Sequence, residues 1–118
     1  MSDEFQTQKA RLIMNLRGMG LMDARVLAAL ENVPRELFVS PQLRQHSYEN
    51  ASLPIAYDQT ISQPYVVARM TEALQLAGRE LVLEIGCGSG YQAAVLSHLC
   101  RRVYSIERLK PLLVDAEN

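Results

Sequence analysis

Glu84, Gly86, Gly88, Gly90 and Glu107 carry the clearest chemical pattern in the chain. The three alternating glycines sit between two apolar runs in VLEIGCGSGYQAAVL, from Val82 to Leu96. Glycine has no Cβ, so a ligand can approach the main chain closely, and the backbone can adopt angles other residues resist. An apolar strand before the glycines, a helix after them and a second strand ending at Glu107 make a βαβ unit with a right-handed crossover. Open α/β sheets bind ligands at the carboxyl ends of their strands, where this loop falls. The following helix turns free N–H groups toward the loop, which favours a carboxylate or phosphate.

Glu107 can accept hydrogen bonds from both hydroxyls of a ribose, and its charge disfavours a 2′-phosphate. An adenosine-bearing ligand is implied. Glu84, on the first strand, suits an ammonium or other cation and suits a pyrophosphate badly. The spacing is G-x-G-x-G, whereas the dinucleotide fingerprint is G-x-G-x-x-G. An NAD-binding oxidoreductase module is compatible with the βαβ unit and Glu107, but the spacing and Glu84 argue against it. A tight turn with no ligand, or a non-catalytic binding piece, is the alternative from outside enzymology.

Other reactive side chains are sparse. Ser62, in YDQTISQP, precedes Pro64 and reads as the N-cap of a helix beginning there. His46 and His98 have no partner at metal-ligand spacing, and no metal is expected. Cys87 and Cys100 form no CxxC pair; both read as small buried residues, with a reactive loop thiol the alternative for Cys87. Tyr57, Tyr65 and Tyr91 flank the two loops and read first as packing residues, while Arg101 and Arg102 read as solvated charges.

The elements that must hold these residues follow from periodicity and punctuation. Residues 5–17 read as a helix through Phe5, Leu12, Ile13 and Leu16, stopped by Gly18 and Gly20. Asp23 reads as the N-cap of a second helix whose face is Val26, Leu27 and Leu30. Pro34 ends it or begins the next short helix, and PRELFV makes one or two helical turns. Residues 40–58 read as irregular connection with one short turn. The helix from Pro64 has Val66, Val67, Met70, Ala73, Leu74 and Ala77 as its predicted buried stripe and closes at Gly78. ELVLEI is nearly continuously apolar and predicts a buried strand, YQAAVLSHL a helix, RVYSIE a second strand, and residues 108–118 a further helix with Pro111 in its first turn.

Composition bounds the function. The chain has 118 residues, 48% hydrophobic and 21% charged, with net charge −1, so it can build a core and gives no sign of disorder. Near-neutral charge disfavours nucleic acid and anionic membrane as partners. No apolar run approaches a bilayer span, and MSDEFQTQKA has no signal-like apolar region, so a cytoplasmic location is expected.

VLEIGCGSGYQAAVL with VYSIE resembles the glycine-rich and acidic motifs of class I S-adenosylmethionine-dependent methyltransferases. QTISQPYVVARMTEAL is more specific and resembles the protein-L-isoaspartate O-methyltransferase family; LIMNLRGMGLMDARVLAALENVPRELFV is similar to its leading helices. The resemblance implies an α/β, Rossmann-like methyltransferase fold. Residues 1–55 would be an N-terminal helical segment, and 56–118 the first half of the S-adenosylmethionine-binding domain. It implies Ser62 as the active-site serine, with Gln59, Thr60 and Ile61 lining the pocket. Gly86, Gly88 and Gly90 would hold the methionyl end of S-adenosylmethionine, Glu84 its ammonium and Glu107 its ribose, leaving S-adenosylhomocysteine as product. The implied partners are isoaspartyl-containing peptides and proteins, repaired by carboxyl methylation.

Such a carboxylate is already ionised, so the reaction needs positioning and water exclusion rather than a strong base. Asp58 stands where the family often has glycine, and Cys87 where threonine or serine is common. The family's catalytic domain is about twice this length, so the chain is expected to be a truncated or partial form. Its sheet would be incomplete, without the strand whose acidic end reads the adenine and without the region that completes the substrate cleft. Two parallel strands alone would leave exposed edges and uncovered apolar faces.

Overall fold

The computed structural model describes residues 2–57 and 59–107. The helix expected over 108–118, and Asp58, lie outside the described residues.

Helix α1 (Ser2–Gly18) runs past both ends of the predicted 5–17 and buries Leu12, Ile13 and Leu16. It stops by hydrogen bonding as much as by composition. Gly20 takes φ +99°, the Gly20 N–H donates to the Arg17 carbonyl, and the Leu21 N–H reaches back to the Leu16 carbonyl. This paired pattern satisfies carbonyls that a helix end otherwise orphans, and it folds buried Leu21 onto buried Leu16. Asp23 caps α2 (Ala24–Asn32) as expected: its carboxylate accepts from the N–H groups of Arg25 (3.0 Å) and Val26 (3.4 Å). Val26, Leu27, Ala29 and Leu30 are buried against α1 and α3.

Two short 3₁₀ helices follow, Arg35–Phe38 and Pro41–His46. Residues 40–58, expected to be irregular with one short turn, contain the second of these and the first strand of a small antiparallel hairpin, whose second strand lies just beyond. β1 (Leu53–Pro54) pairs with β2 (Thr60–Ile61), Leu53 opposite Ile61 and Pro54 opposite Thr60. Two residues per strand, one a proline, leave no alternation to detect.

Helix α3 (Pro64–Ala73) corrects the predicted stripe. The buried residues are Pro64, Val67, Ala68 and Thr71. Of the six stripe residues only Val67 is buried; Met70 is 63% and Leu74 54% exposed. The helix is apolar on more than one side, and the side with small residues is the one that packs toward the core. The Thr71 hydroxyl makes that face tolerable by donating to the Val67 carbonyl at 2.7 Å. α3 also ends four residues before the predicted Ala77, with Gln75 in the left-handed region (φ +51°). Gly78 lies beyond the helix, within the connection to β3.

β3 (Leu81–Ile85) and β4 (Arg102–Ile106) pair in parallel, Leu81 opposite Arg102 through Ile85 opposite Ile106, with α4 (Tyr91–Ser97) between them in sequence. The βαβ unit is therefore present, but β3 is not the buried strand expected. Val82 and Glu84 are half-buried, while Leu81 and Leu83 are each 61% and Ile85 72% exposed. Tyr104 and Ile106 continue this open apolar face on β4. Parallel strands are apolar on both faces because both are normally covered, and here one face is. The core runs from α1 and α2 through Val33, Val39, Tyr48, Ile61, Val67 and Ala68 to Tyr91, Val95 and Leu99. Among the described residues, no helix is long and apolar enough to cross a membrane.

Candidate functional site

The glycine loop joins β3 to α4. Gly86, Gly88 and Gly90 all take positive φ (+78°, +54° and +89°), which explains glycine at each. The loop is strapped to β4. The Gly86 N–H donates to the Ile106 carbonyl (2.6 Å), and the Gly88 N–H to Glu107 Oε1 (2.9 Å). Gly90 donates to the Cys87 carbonyl, and the first helical N–H, of Tyr91, is taken by Ser89 Oγ. α4 has only seven residues, so the helix-end attraction expected for an anion is small.

Ligand space lies in front of the loop. A Cβ built on Gly86 would meet nothing within 4 Å, and one on Gly88 only Ile55 Cδ1 at 3.8 Å. Neighbouring protein atoms therefore do not account for the absent side chains. Opposite lies the segment after the hairpin turn. Thr60, Ile61 and Ser62 form one wall of a cleft of about 90 Å³, with Glu84, Gly86 and Gly88 on the other and Tyr91 and Gln92 closing it. Gln59, Gly90 and Glu107 do not line this cleft. Gln59 is exposed in the hairpin loop, and Gly90 is buried as the N-cap of α4. Glu107 reaches the loop through its bond to Gly88.

Glu84 is half-buried and sits opposite Ser105 in the parallel register, whose hydroxyl donates to Glu84 Oε1 at 2.8 Å. Burial pushes the Glu84 carboxyl pKa above its usual value. The Ser105 hydrogen bond opposes that shift and the charge of Glu107 adds to it. A cation placed between the two carboxylates would relieve both effects. An acid beside a bare backbone can take a ligand that brings a cationic group and approaches the main chain closely. Among the described residues, no group of three potential ligands could hold a metal ion.

Ser62 differs from expectation in one respect. The N-cap of α3 is Gln63, and no side chain caps it. Ser62 is exposed on the cleft wall, and its carbonyl accepts from Arg35 Nη2 at 3.0 Å. The two histidines stand apart: His46 pairs with Glu49 at 2.5 Å, and His98 follows α4.

Sequence reasoning missed Arg35, which is fully buried behind the cleft. Its guanidinium carbon lies 4.7 Å from the centre of the Tyr91 ring. The one available signal was a lone arginine inside the apolar run VPRELFV, and that gives no partner. Ser105 was likewise invisible, because its pairing with Glu84 depends on sheet register.

Comparison with known proteins bears on the family and the fold. The family model described as protein-L-isoaspartate(D-aspartate) O-methyltransferase matches residues 7–118. A protein-L-isoaspartate O-methyltransferase from Parvibaculum lavamentivorans is 60% identical over 97% of this chain and 51% of its own length. One from Paramagnetospirillum magneticum is 60% identical over 91% of this chain and 50% of its own length. This chain thus spans about half the length of the curated relatives it matches. A solved protein-L-isoaspartate O-methyltransferase superposes with TM-score 0.79 at 30% identity, covering 92% of this chain and 37% of that one. A Plasmodium falciparum structure, described as a putative protein-L-isoaspartate O-methyltransferase in complex with S-adenosyl-L-homocysteine, shares the fold at TM-score 0.72 and 24% identity, covering 93% of this chain and 53% of that one. The fold is the α/β, Rossmann-like fold of these methyltransferases, with the sheet incomplete, and the chain belongs to the protein-L-isoaspartate(D-aspartate) O-methyltransferase family.

Proposed function

We propose that this chain forms the N-terminal, cofactor-facing half of a protein-L-isoaspartate O-methyltransferase. Residues 1–55 are its helical segment and 56–118 the first half of its S-adenosylmethionine-binding domain. The observation that carries the reading is the facing of two walls: Thr60, Ile61 and Ser62 across one cleft from Glu84, Gly86 and Gly88.

Bound S-adenosylmethionine would supply an electrophilic methyl group on a positive sulfur. The isoaspartyl carboxylate oxygen would form the new C–O bond as the S–CH₃ bond broke, which would leave a methyl ester and the neutral thioether S-adenosylhomocysteine. Opposite charges are consumed together, so no proton has to be moved. The protein's tasks are alignment and exclusion of water. Glu84 pairs with the ammonium, the bare Gly86 and Gly88 backbone admits the methionyl end, and Glu107 binds the ribose. Thr60 and Ile61 line the pocket, Gln59 precedes them outside the cleft, and Gly90 sets the start of α4. Ser62 orients the substrate carboxylate by hydrogen bonding through a hydroxyl not spent on capping. Isoaspartyl peptides and proteins are the substrates, and a cytoplasmic location belongs to the same reading.

The test is methyl transfer to an isoaspartyl peptide and its aspartyl twin, beside calorimetric titration with S-adenosylhomocysteine. Heat on titration and labelling of the isoaspartyl peptide alone are expected. Ser62→Ala should cost up to about 10²-fold in transfer, the scale of a misplaced reactant, with S-adenosylhomocysteine affinity held within threefold. Equal labelling of the two peptides, or no heat, would overturn the assignment.

A further inference from the structure

Arg35 is a fully buried cation for which, among the described residues, no carboxylate forms an ion pair. Burying a charge without an opposite charge is costly unless other groups solvate it. Here the solvating groups come from three separate segments. Nε donates to the Ser47 carbonyl at 2.7 Å, Nη2 to the Ser62 carbonyl at 3.0 Å, and the guanidinium lies over the face of the Tyr91 ring. The Arg35 N–H itself donates to the Tyr48 hydroxyl at 3.0 Å. Ser62 and Tyr91 both line the cleft, Ser62 from the hairpin side and Tyr91 from the first turn of α4 after the glycines.

We infer that Arg35 is a positioning residue that ties the Ser62 wall to the glycine-loop wall through one guanidinium and so sets the width of the cleft. The inference takes the functional reading of that cleft as its frame. Arginine suits the task because its edge and face act at once: Nε and Nη2 meet carbonyls, while the face stacks on an aromatic ring; Nη1 is buried and, among the described residues, makes no hydrogen bond. Lysine would keep the charge but has no planar fork and no stacking face, so it can serve one wall or the other. The acceptor at Ser62 is the main-chain carbonyl, so Arg35 restrains the backbone of the wall and leaves the Ser62 hydroxyl available for substrate. Arg35 touches no reacting atom and acts through Ser62 and Tyr91.

Hydrogen exchange followed by mass spectrometry tests the coupling. In Arg35→Lys, exchange should accelerate at least tenfold in both 59–63 and 88–94, while 10–30, in α1 and α2, stays within twofold. S-adenosylhomocysteine should bind at least fivefold more weakly, measured well below the unfolding midpoint. Should Arg35→Lys fail to fold, Tyr91→Leu removes the ring and its hydroxyl and keeps an apolar side chain in the core. It should still accelerate exchange at 59–63, across the cleft from the substitution. Acceleration confined to 45–51, or to the wall that carries the substitution, would overturn the inference. Exchange coupling in a wild-type chain that binds no S-adenosylhomocysteine would uphold the link between the walls and sink the proposed function instead.

Discussion

Gly88→Ala separates what the glycine loop needs for folding from what it needs for a ligand. The structural cost can be worked from two observations. The added Cβ would meet only Ile55 Cδ1 at 3.8 Å, an ordinary contact, so no clash is expected. The backbone sits at φ +54°, where a residue with a Cβ costs about 1–2 kcal/mol. Part of this is offset because alanine has less freedom to lose on folding, leaving a net loss of about 1 kcal/mol. For a chain of this size that lowers the melting temperature by about 3–6 °C. The Gly88 N–H and its bond to Glu107 remain.

The ligand cost is separate. If S-adenosylhomocysteine lies against this backbone, the methyl group overpacks the contact by about 1–3 kcal/mol, roughly 5- to 150-fold in affinity. Urea unfolding gives the first number and calorimetry the second. Gly20→Ala is the control: φ is +99°, nothing lies within 4 Å of its Cβ, and it is remote from the cleft. It should lose similar or greater stability and keep its affinity. If Gly88→Ala binds S-adenosylhomocysteine within twofold of wild type, the close-approach reasoning is wrong. A stability loss above about 3 kcal/mol would show the loop packed more tightly than its contacts indicate.

The remaining tests address charge and capping. Because the Glu84 carboxyl is raised above its usual value of 4.5, the native state keeps that proton to higher pH than the unfolded chain does. Its contribution to stability is therefore present below 4.5 and lost as pH rises through the folded value, so Glu84→Gln should flatten that fall in urea midpoints between pH 4 and 7; an unchanged slope would exclude Glu84 as its source. The same variant should weaken S-adenosylhomocysteine by about tenfold through loss of the ammonium's partner, the scale of a charged hydrogen bond. Asp23→Ala should cost about 1 kcal/mol by removing two N–H partners from the start of α2, measured by urea unfolding, and Asp23→Asn should recover most of it.

Local signals were readable where the chain obeys local rules. Asp23 caps α2 because a short carboxylate placed before an apolar period has few other uses. The glycines of the loop mark positive φ, which follows from residue type, and β3, α4 and β4 follow from pattern. What failed depended on the third dimension. α3 carries two apolar faces, and only the position of α2 decides that Ala68 and Thr71 go inward while Met70 and Leu74 go out. Ser62 looks like an N-cap one residue before the residue that takes the role. Glu107 was placed correctly beside the loop, yet the spacing gave no sign that Gly88 would offer it an N–H. Arg35 has no local signature, because its partners lie 12 to 56 residues away in sequence.

Those long-range partners also explain how a two-stranded parallel sheet can hold a site. Leu81, Leu83, Ile85, Tyr104 and Ile106 are all exposed, so that face of β3 and β4 supplies little of the burial that usually stabilises parallel strands. The loop is fixed instead from the helical side. Tyr91, Val95 and Leu99 carry α4 into the core built by α1 and α2, Gln92 reaches the Thr71 hydroxyl on α3 at 2.9 Å, and Arg35 holds Tyr91 and Ser62 together. Two main-chain donors, Gly86 and Gly88, then set the loop against β4. The walls of the cleft are thus tied to a well-packed helical core, whereas the sheet between them is covered on one face. Covering the open face would add rigidity to β3 and β4 and to Glu84 and Glu107 at their ends, while the spacing between Ser62 and the glycines is already set by the core.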